Sequence, residues 1–513
     1  MSRLVAISNR VSLPRKGASS GGLAVGVLAA MRAHGGLWIG WSGEVAAGQI
    51  GGIDSTRRDR LAFATFDLSR AEHEGYYLGF SNGALWPLFH NFLQAFHYSP
   101  EQYATYLSVN RRFADHTVPL LRADDLVWVH DYHLLPLGSC LRAQGATQRL
   151  GFFLHIPFPG FGVFRALPVH RELLEALLAY DLVGFQTRDD LAGFHAAVRE
   201  VFGAAALLPD GSVRAAGRQV RAEVFPIGVD VAEIQQASAA APATEAYRRM
   251  VAGLLGRRLI IGVDRLDYSK GLVERFQAYE DFLARYPQNH HDVTFVQIAP
   301  LSRTDVAEYA VIRRALEQAS GRTNGRFADP DWTPVRYLNK NVPHAALMGY
   351  LRAAKVALVT PLRDGMNLVA KEFVAAQDPE DPGVLVLSSL AGAARELTTA
   401  LLVNPYDVSA VADALQTALW MPRPQRRERF EAMMAVIRGN DIHAWIRRFL
   451  EGLQGSPSGR STAALRPSAI SLSLARSTGR SAATPRAPPS SDSSTGQAKK
   501  RMVENSPSTD PWK

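Results

Sequence analysis

The sequence predicts an α/β protein of two doubly wound domains that face a cleft, followed by a disordered C-terminal tail. Three observations carry this. Short, almost wholly apolar runs alternate with longer stretches of helical period, as parallel strands covered on both faces require. The runs fall into two series on either side of the alanine-rich segment Asp230–Thr244. Beyond residue 454 the composition shifts to serine, proline and arginine.

The first series comprises Leu4–Ser8, Leu126–His130, Gly151–His155, Leu182–Gln186 and Val224–Ile227. The second comprises Leu259–Val263, Thr294–Ile298, Val335–Leu338, Val356–Thr360 and Val384–Leu387. A chain of 513 residues exceeds what one core holds, so two domains are expected. The expected boundaries are 1–235 for the first, 236–440 for the second, and 441–454 for a terminal helix packing back on the first. The tail, 455–513, holds 14 serines and a single aromatic, Trp512, too little apolar surface to offset the entropy of ordering.

Several functional classes are excluded early. One cysteine, Cys140, rules out an internal disulfide and a Cys-cluster zinc site and fits a reducing, cytoplasmic setting. The apolar run Leu4–Ile7 is too short for a signal peptide, and no stretch approaches the ~20 residues of a membrane span. The net charge of +9 hints at nucleic acid until it is located. Nine basic and three acidic residues lie in the tail, which leaves +3 on residues 1–454. The globular part is nearly neutral, so no nucleic-acid partner and no membrane partner are expected.

In open parallel sheets ligands bind beyond the carboxyl ends of the strands, and the informative residues cluster there. The first strand leads through Ser8-Asn9-Arg10 to Gly21-Gly22 at the start of a helical pattern. Such glycines let backbone amides approach an anion, although a plain loop-to-helix turn reads the same way. Two further strands end in His130-Asp131-Tyr132-His133 and His155-Ile156-Pro157, suited to sugar hydroxyls or proton handling. No metal-ligand spacing such as H-E-x-x-H occurs, and no metal is expected. In the second half, Arg265 and Lys270 share a loop past a strand end and can clamp a diphosphate. Arg303 follows another strand, and Asp364-Gly365-Met366-Asn367 opens a helix carrying Lys371 and Glu372.

In order along the chain stand SNR, GGLAVG, GLWIGWSG, HDYHLLP, FFLHIPFP, RLDYSKGL, IAP-SR and TPLRDGMNLVAKE. This set resembles the trehalose-6-phosphate synthases, retaining glucosyltransferases of family 20 with two Rossmann-like domains in the GT-B arrangement. The resemblance spans about residues 1–453. It implies transfer of glucose from a nucleotide-glucose, UDP-glucose foremost, to glucose 6-phosphate, in trehalose biosynthesis and osmoprotection. The first domain would bind the acceptor and the second the nucleotide-sugar, with no cofactor and no metal, in a cytoplasmic homo-oligomer of which a tetramer is one form.

Carried over by position, the resemblance implies that Arg10, Tyr77 and Arg303 hold the acceptor phosphate, and that Trp41, Trp86 and Asp131 surround its sugar. Gly21 and Gly22 would close over the donor diphosphate, neutralised by Arg265 and Lys270. His155 and Asp364 would contact the transferred glucose. Leu368, Val369, Ala370 and Lys371 would line the diphosphate and Glu372 would take the ribose. The implied catalytic set is Asp131, His155, Arg265, Lys270 and Asp364, with Trp86 and Ile156 enforcing the α anomer. Val342 stands where members often carry Phe, so no ring is available there to stack on a base.

Retention of configuration calls for a carboxylate nucleophile or for return on the same face. Asp131, Asp364 and Glu372 already have other assignments, which favours the second. Two other readings share the fold: a transferase for another phosphorylated acceptor, and a silent sugar-phosphate sensor. The sensor is expected to lack one of Asp131, Arg265, Lys270 or Glu372; all are present. The letters D-P-D-W-T at 329–333 match a phosphatase nucleophile motif by chance, since no apolar strand precedes them. Truncation just before Gly455 should leave melting temperature and kcat/KM unchanged. A drop of several degrees would show instead that Leu465, Ile470, Leu472 and Leu474 dock on the body.

Overall fold

The computed structural model describes residues 2–11, 22–48, 51–58, 60–301 and 307–455. The expected tail, Gly21 and Arg303 therefore lie outside the described residues, apart from Gly455 itself. Among the described residues, the first sheet has nine strands. These are β1 (Leu4–Arg10), β2 (Gly36–Val45), β3 (Asp54–Arg58), β4 (Leu61–Leu68), β5 (Leu126–His130), β6 (Arg149–Phe153), β7 (Leu182–Phe185), β8 (Val213–Ala215) and β9 (Arg218–Val224). Their order is β3-β4-β2-β1-β5-β6-β7-β9-β8. All neighbours are parallel except the edge pairs β3/β4 and β8/β9.

The second sheet contains β10 (Arg258–Val263), β11 (Val293–Ile298), β12 (Val335–Leu338), β13 (Val356–Val359), β14 (Val384–Ser388) and β15 (Leu401–Val403). It is wholly parallel, in the order β12-β11-β10-β13-β14-β15. That is the doubly wound order whose direction reverses between its first and fourth strands, and the reversal opens a crevice at their carboxyl ends. The equivalent crevice of the first sheet lies between β1 and β5. Burial explains why these strands were legible: every residue of β5, β11, β13 and β14 is buried.

Two sequence expectations are corrected. Val224–Ile227 is not a strand; the strand is Arg218–Val224, where only Val220 and Ala222 are buried among charged neighbours. The apolar residues after it are buried for a different reason, because they form the crossing between the domains. The alanine-rich segment Asp230–Thr244, where the two series join, begins with the helix Val231–Ala240, capped by the Asp230 side chain on Glu233 N at 2.9 Å. Alanine-rich sequence forms helix wherever a face can be buried, and this helix packs on the second-domain helices His344–Ala353 and Leu368–Ala376. The predicted runs also lack β2, β3, β4, β8 and β15: glycines interrupt β2, polar residues fill β3 and break β4, and β8 and β15 have three residues each.

The chain crosses between domains twice, and the crossings lie side by side. Gly228 packs so tightly on the second that an added Cβ would stand 2.1 Å from the Asn440 carbonyl, and Ile442 N donates to Val229 O at 3.1 Å. The returning helix Ile442–Gly455 then covers the first sheet. Its Phe449 ring stacks on Trp128 at 4.4 Å. The same ring fills recesses left by Gly151 and Gly184, where a Cβ would come within 2.8 and 2.9 Å of it. No described helix is long and apolar enough to cross a membrane.

Lys371 locks the crossing to the second domain. Its buried ammonium donates to Ile227 O at 2.7 Å and pairs with Glu396 at 2.6 Å. Glu396 also accepts from Asn440 at 2.9 Å. Lys371→Met should lower folding stability by about 3 kcal/mol, because it leaves the partly desolvated Glu396 carboxylate without its cation. Denaturant unfolding measures this, and an unchanged midpoint would contradict the role.

Candidate active site

The two crevices face one another, and residues from both meet across the gap. Arg265, after β10, lies with its guanidinium carbon 5.7 Å from the centre of the Trp86 ring. Tyr268 meets Phe92 edge-on at 5.0 Å. The loop after β13 touches the loop after β6, since a Cβ on Gly365 would fall 2.3 Å from His155 O. Arg395 and Asp189 pair at the rim at 2.6 Å.

On the first-domain side, Arg10 ends β1 and its guanidinium carbon stands 5.8 Å from the Trp41 ring centre. Gly43, at φ +95°, leaves the room: a Cβ there would stand 2.2 Å from Arg10 Nε. Tyr77 lies 5.4 Å from Trp41 and stacks on His133 at 5.9 Å. Arg10, Trp41 and Tyr77 thus share one wall. Neighbouring Tyr76 donates its hydroxyl to Asn9 Oδ1 at 2.8 Å, which ties this wall to the end of β1. Trp86 packs on His90 at 4.1 Å and on Tyr132 at 5.7 Å.

Asp131 leaves β5 at φ 76°, a strained value for a residue with a side chain. Its carboxylate accepts from His155 N at 3.2 Å. The His155 ring approaches His130, with His130 Nδ1 and His155 Nε2 3.2 Å apart. Burial lowers His155 to about 3 and holds His130 well below its ordinary value, helped by the neighbouring ring. His90 falls to about 4 for the same reason. Ile156 is buried beside them.

On the second-domain side, Lys270 Nζ stands 2.5 Å from Asp364 Oδ2, which also accepts from Asn367 Nδ2 at 3.1 Å. Buried Arg275 gathers the strand ends. It bonds Asp264 at 2.8 Å, Gln297 at 3.0 Å, Thr360 at 3.1 Å and the Lys270 carbonyl at 3.2 Å. Asn367, at φ 81°, caps the helix Leu368–Ala376. The amides of Leu368 and Val369 occupy the first turn, which leaves them without intrahelical acceptors. Two members of this run are engaged elsewhere: the Ala370 amide bonds Asn367 Oδ1 at 3.2 Å, and the Lys371 ammonium points back to the crossing. Val342 is half-buried against the apolar core. Gly22 opens the helix Gly22–His34, whose first turn carries no acid. Among the described residues no group of three or more His, Cys, Asp or Glu could hold a metal ion.

The profile of glycosyltransferase family 20 matches residues 9–455. The chain belongs to glycosyltransferase family 20. The trehalose-6-phosphate synthase of Klebsiella pneumoniae is 51% identical over 455 residues, covering 88% of this chain and 95% of that protein. That of Cronobacter sakazakii is 50% identical over 457 residues, with the same coverage of 88% and 95%. An α,α-trehalose-phosphate synthase (UDP-forming) from Burkholderia xenovorans, solved in complex with glucose-6-phosphate, aligns with a TM-score of 0.86. Its identity is 49%, over 88% of this chain and 100% of that one. A structure from E. coli bound with UDP-2-fluoro glucose aligns at 0.83 and 47% identity, over 88% and 99%.

Within this family-20 chain, sequence motifs point to the strand-end residues, with His130 and Asn367 inside those motifs but no task of their own, while Arg275 and Glu396 stand outside them. For His130, Arg275 and Asn367 the signal is one of burial, which single-residue chemistry does not reveal; for Glu396 it is the pairing with buried Lys371. Glu372 is the converse, a designated residue with an unusual state. Burial raises its carboxyl from 4.5 to about 7. The unfolded chain releases this proton at lower pH, so native Glu372 is penalised as pH rises above 4.5, and fully above 7. Glu372→Gln should therefore raise Tm at pH 8 and lose that advantage as pH approaches 4.5. Calorimetry at both pH values checks it; equal Tm at pH 8 would refute the burial effect.

Proposed function

We propose that the chain transfers glucose from UDP-glucose to glucose 6-phosphate, forming α,α-trehalose 6-phosphate and UDP in trehalose biosynthesis. One observation carries this above the rest: the phosphate-seeking Arg265 and Lys270 sit at the reversal point of the second sheet and face the Trp86 wall of the first. The relatives named as trehalose-6-phosphate synthases supply the substrates. Arg10, Tyr77 and Arg303 hold the acceptor phosphate, while Trp41, Trp86 and Asp131 receive its sugar. Glu372 and the amides of Leu368 and Val369 take the ribose and diphosphate, with Gly21 and Gly22 closing from the first domain. Trp86 and Ile156 restrict the linkage to the α anomer. Cytoplasmic location and homo-oligomeric assembly belong to the same proposal.

Retention follows from a front-face course. The anomeric C–O bond to the diphosphate breaks, the acceptor oxygen bonds the same face, and its proton passes to the departing diphosphate. Asp131 and Asp364 serve structural partners, His155 N and Lys270, rather than attacking carbon. Arg265 and Lys270 stabilise the charge that grows on the leaving group, and the chain needs only to hold the substrates in line. Lys270→Ala or Arg265→Ala should each lower kcat about a hundredfold, or ~3 kcal/mol, since the interaction is made mainly in the transition state. Turnover with UDP-, GDP- and ADP-glucose against a panel of sugar phosphates is the direct test. Failure with UDP-glucose and glucose 6-phosphate, or normal kcat in both variants, overturns the reading.

A further inference from the structure

β5 and β6 deliver three residues to one spot. Asp131 holds the backbone of His155, and His130 holds its ring. Two residues adjacent in sequence thus fix one neighbour completely. His130 itself has no exposed surface. Its ring lies 4.6 Å from Trp128 and 6.3 Å from Trp445. Its second nitrogen, Nε2, is buried and has no partner among the described residues.

Both rings are kept neutral by burial, so each carries one proton and their contact holds one N–H. Two arrangements satisfy this. If His155 donated from Nε2, His130 would carry its proton on Nε2, a buried N–H with no acceptor. If His130 donates from Nδ1, its Nε2 keeps only a lone pair against the indoles. An orphaned buried N–H is the rarer and costlier outcome. The second arrangement also leaves His155 with its proton on Nδ1, the nitrogen that bonds no described residue.

We propose that His130 is a positioning residue: it donates Nδ1–H to His155 Nε2 and thereby fixes His155 as the Nδ1–H tautomer. His155 then presents an N–H donor to a hydroxyl of the transferred sugar, and that hydroxyl turns its own proton elsewhere. The use of the donor rests on the reading of His155 as a sugar contact; the tautomer does not. Among the described residues the indole N–H groups of Trp128 and Trp445 packed around these rings also lack a partner, so the unpaired groups nearby are donors, which suits a lone pair on His130 Nε2 rather than a further N–H. Partners that orient a functional histidine in this way matter about as much as the histidine's own placement.

Nitrogen NMR of the full chain labelled at histidine tests the tautomer without substrate, with signals assigned by His130→Asn and His155→Ala. Protonation of His155 at Nδ1 is expected; protonation at Nε2 overturns the proposal. Kinetics tests its use. His130→Phe, which keeps the ring shape but no donor, should lower kcat about tenfold to a hundredfold with Tm and the KM for glucose 6-phosphate nearly unchanged. His130→Asn, which restores an N–H near the Nδ1 position, should recover most of that loss, a rescue that mere packing does not give. Wild-type kcat in His130→Phe beside a slow His155→Ala overturns the positioning role. Wild-type kcat in His155→Ala instead overturns the sugar-contact reading and leaves the NMR result to decide the tautomer.

Discussion

The Lys371 ammonium is buried where the two halves of the chain meet, bonded to the Ile227 carbonyl and the Glu396 carboxylate. Burial alone lowers its pKa, so the charge persists because Glu396 offsets the desolvation. Each partner anchors a different segment. Ile227 belongs to the first crossing, and Glu396 holds Asn440 of the second. Lys371 itself lies on the helix Leu368–Ala376, whose first turn and Glu372 are proposed to take the donor. The geometry of the second half-site is therefore referred directly to the point about which the domains are joined. The Gln186 side chain, which accepts from Ile227 N at 3.0 Å, holds the same crossing from the first-domain side.

A second buried cation performs the equivalent task within the second domain. Arg275 touches the ends of β10, β11 and β13 through Asp264, Gln297 and Thr360, and it accepts no water exposure in doing so. Its bond to the Lys270 carbonyl places the backbone of the loop that carries Arg265 and Lys270, the proposed diphosphate clamp. Arginine suits this because its fork reaches several acceptors in one plane. The cations proposed to meet the diphosphate are held differently. Arg265 is half-exposed, with only a long contact of 4.0 Å to Asp267, and Lys270 is shared with Asp364. Structural cations are saturated by the protein; functional ones keep capacity for an anion.

The sequence made the parallel strands legible because they are buried on both faces, as in Val356–Val359 and Val384–Ser388. It failed where burial and secondary structure part company. Phe225–Ile227 is apolar because it crosses beneath other elements, and Pro226 could not have extended a ladder. Arg218–Val224 is a strand whose polar residues meet solvent. Of the site, residues at strand ends could be found from position alone. His130 sat in the same motif as Asp131 yet had no visible task, because its partner His155 lies on the next strand. Arg275 is buried although nothing local in the sequence marks a charged residue as buried.

The distribution of charge across the cleft also bears on the proposed chemistry. In a front-face transfer the sugar becomes electron-poor while the diphosphate gains negative charge, so cations help on one side and harm on the other. The second domain supplies Arg265 and Lys270 on the diphosphate side. The first surrounds the sugar position with His90, His130 and His155, each kept neutral by desolvation. An imidazolium at any of these places would oppose the developing positive sugar at close range in a medium of low dielectric. Neutral rings retain the hydrogen-bonding capacity of histidine without that repulsion. The indoles of Trp128 and Trp445, which enforce the desolvation, are in turn held by the helix that returns after the second crossing. The C-terminal helix thus reaches the chemistry through the protonation state of two histidines rather than through any contact with substrate.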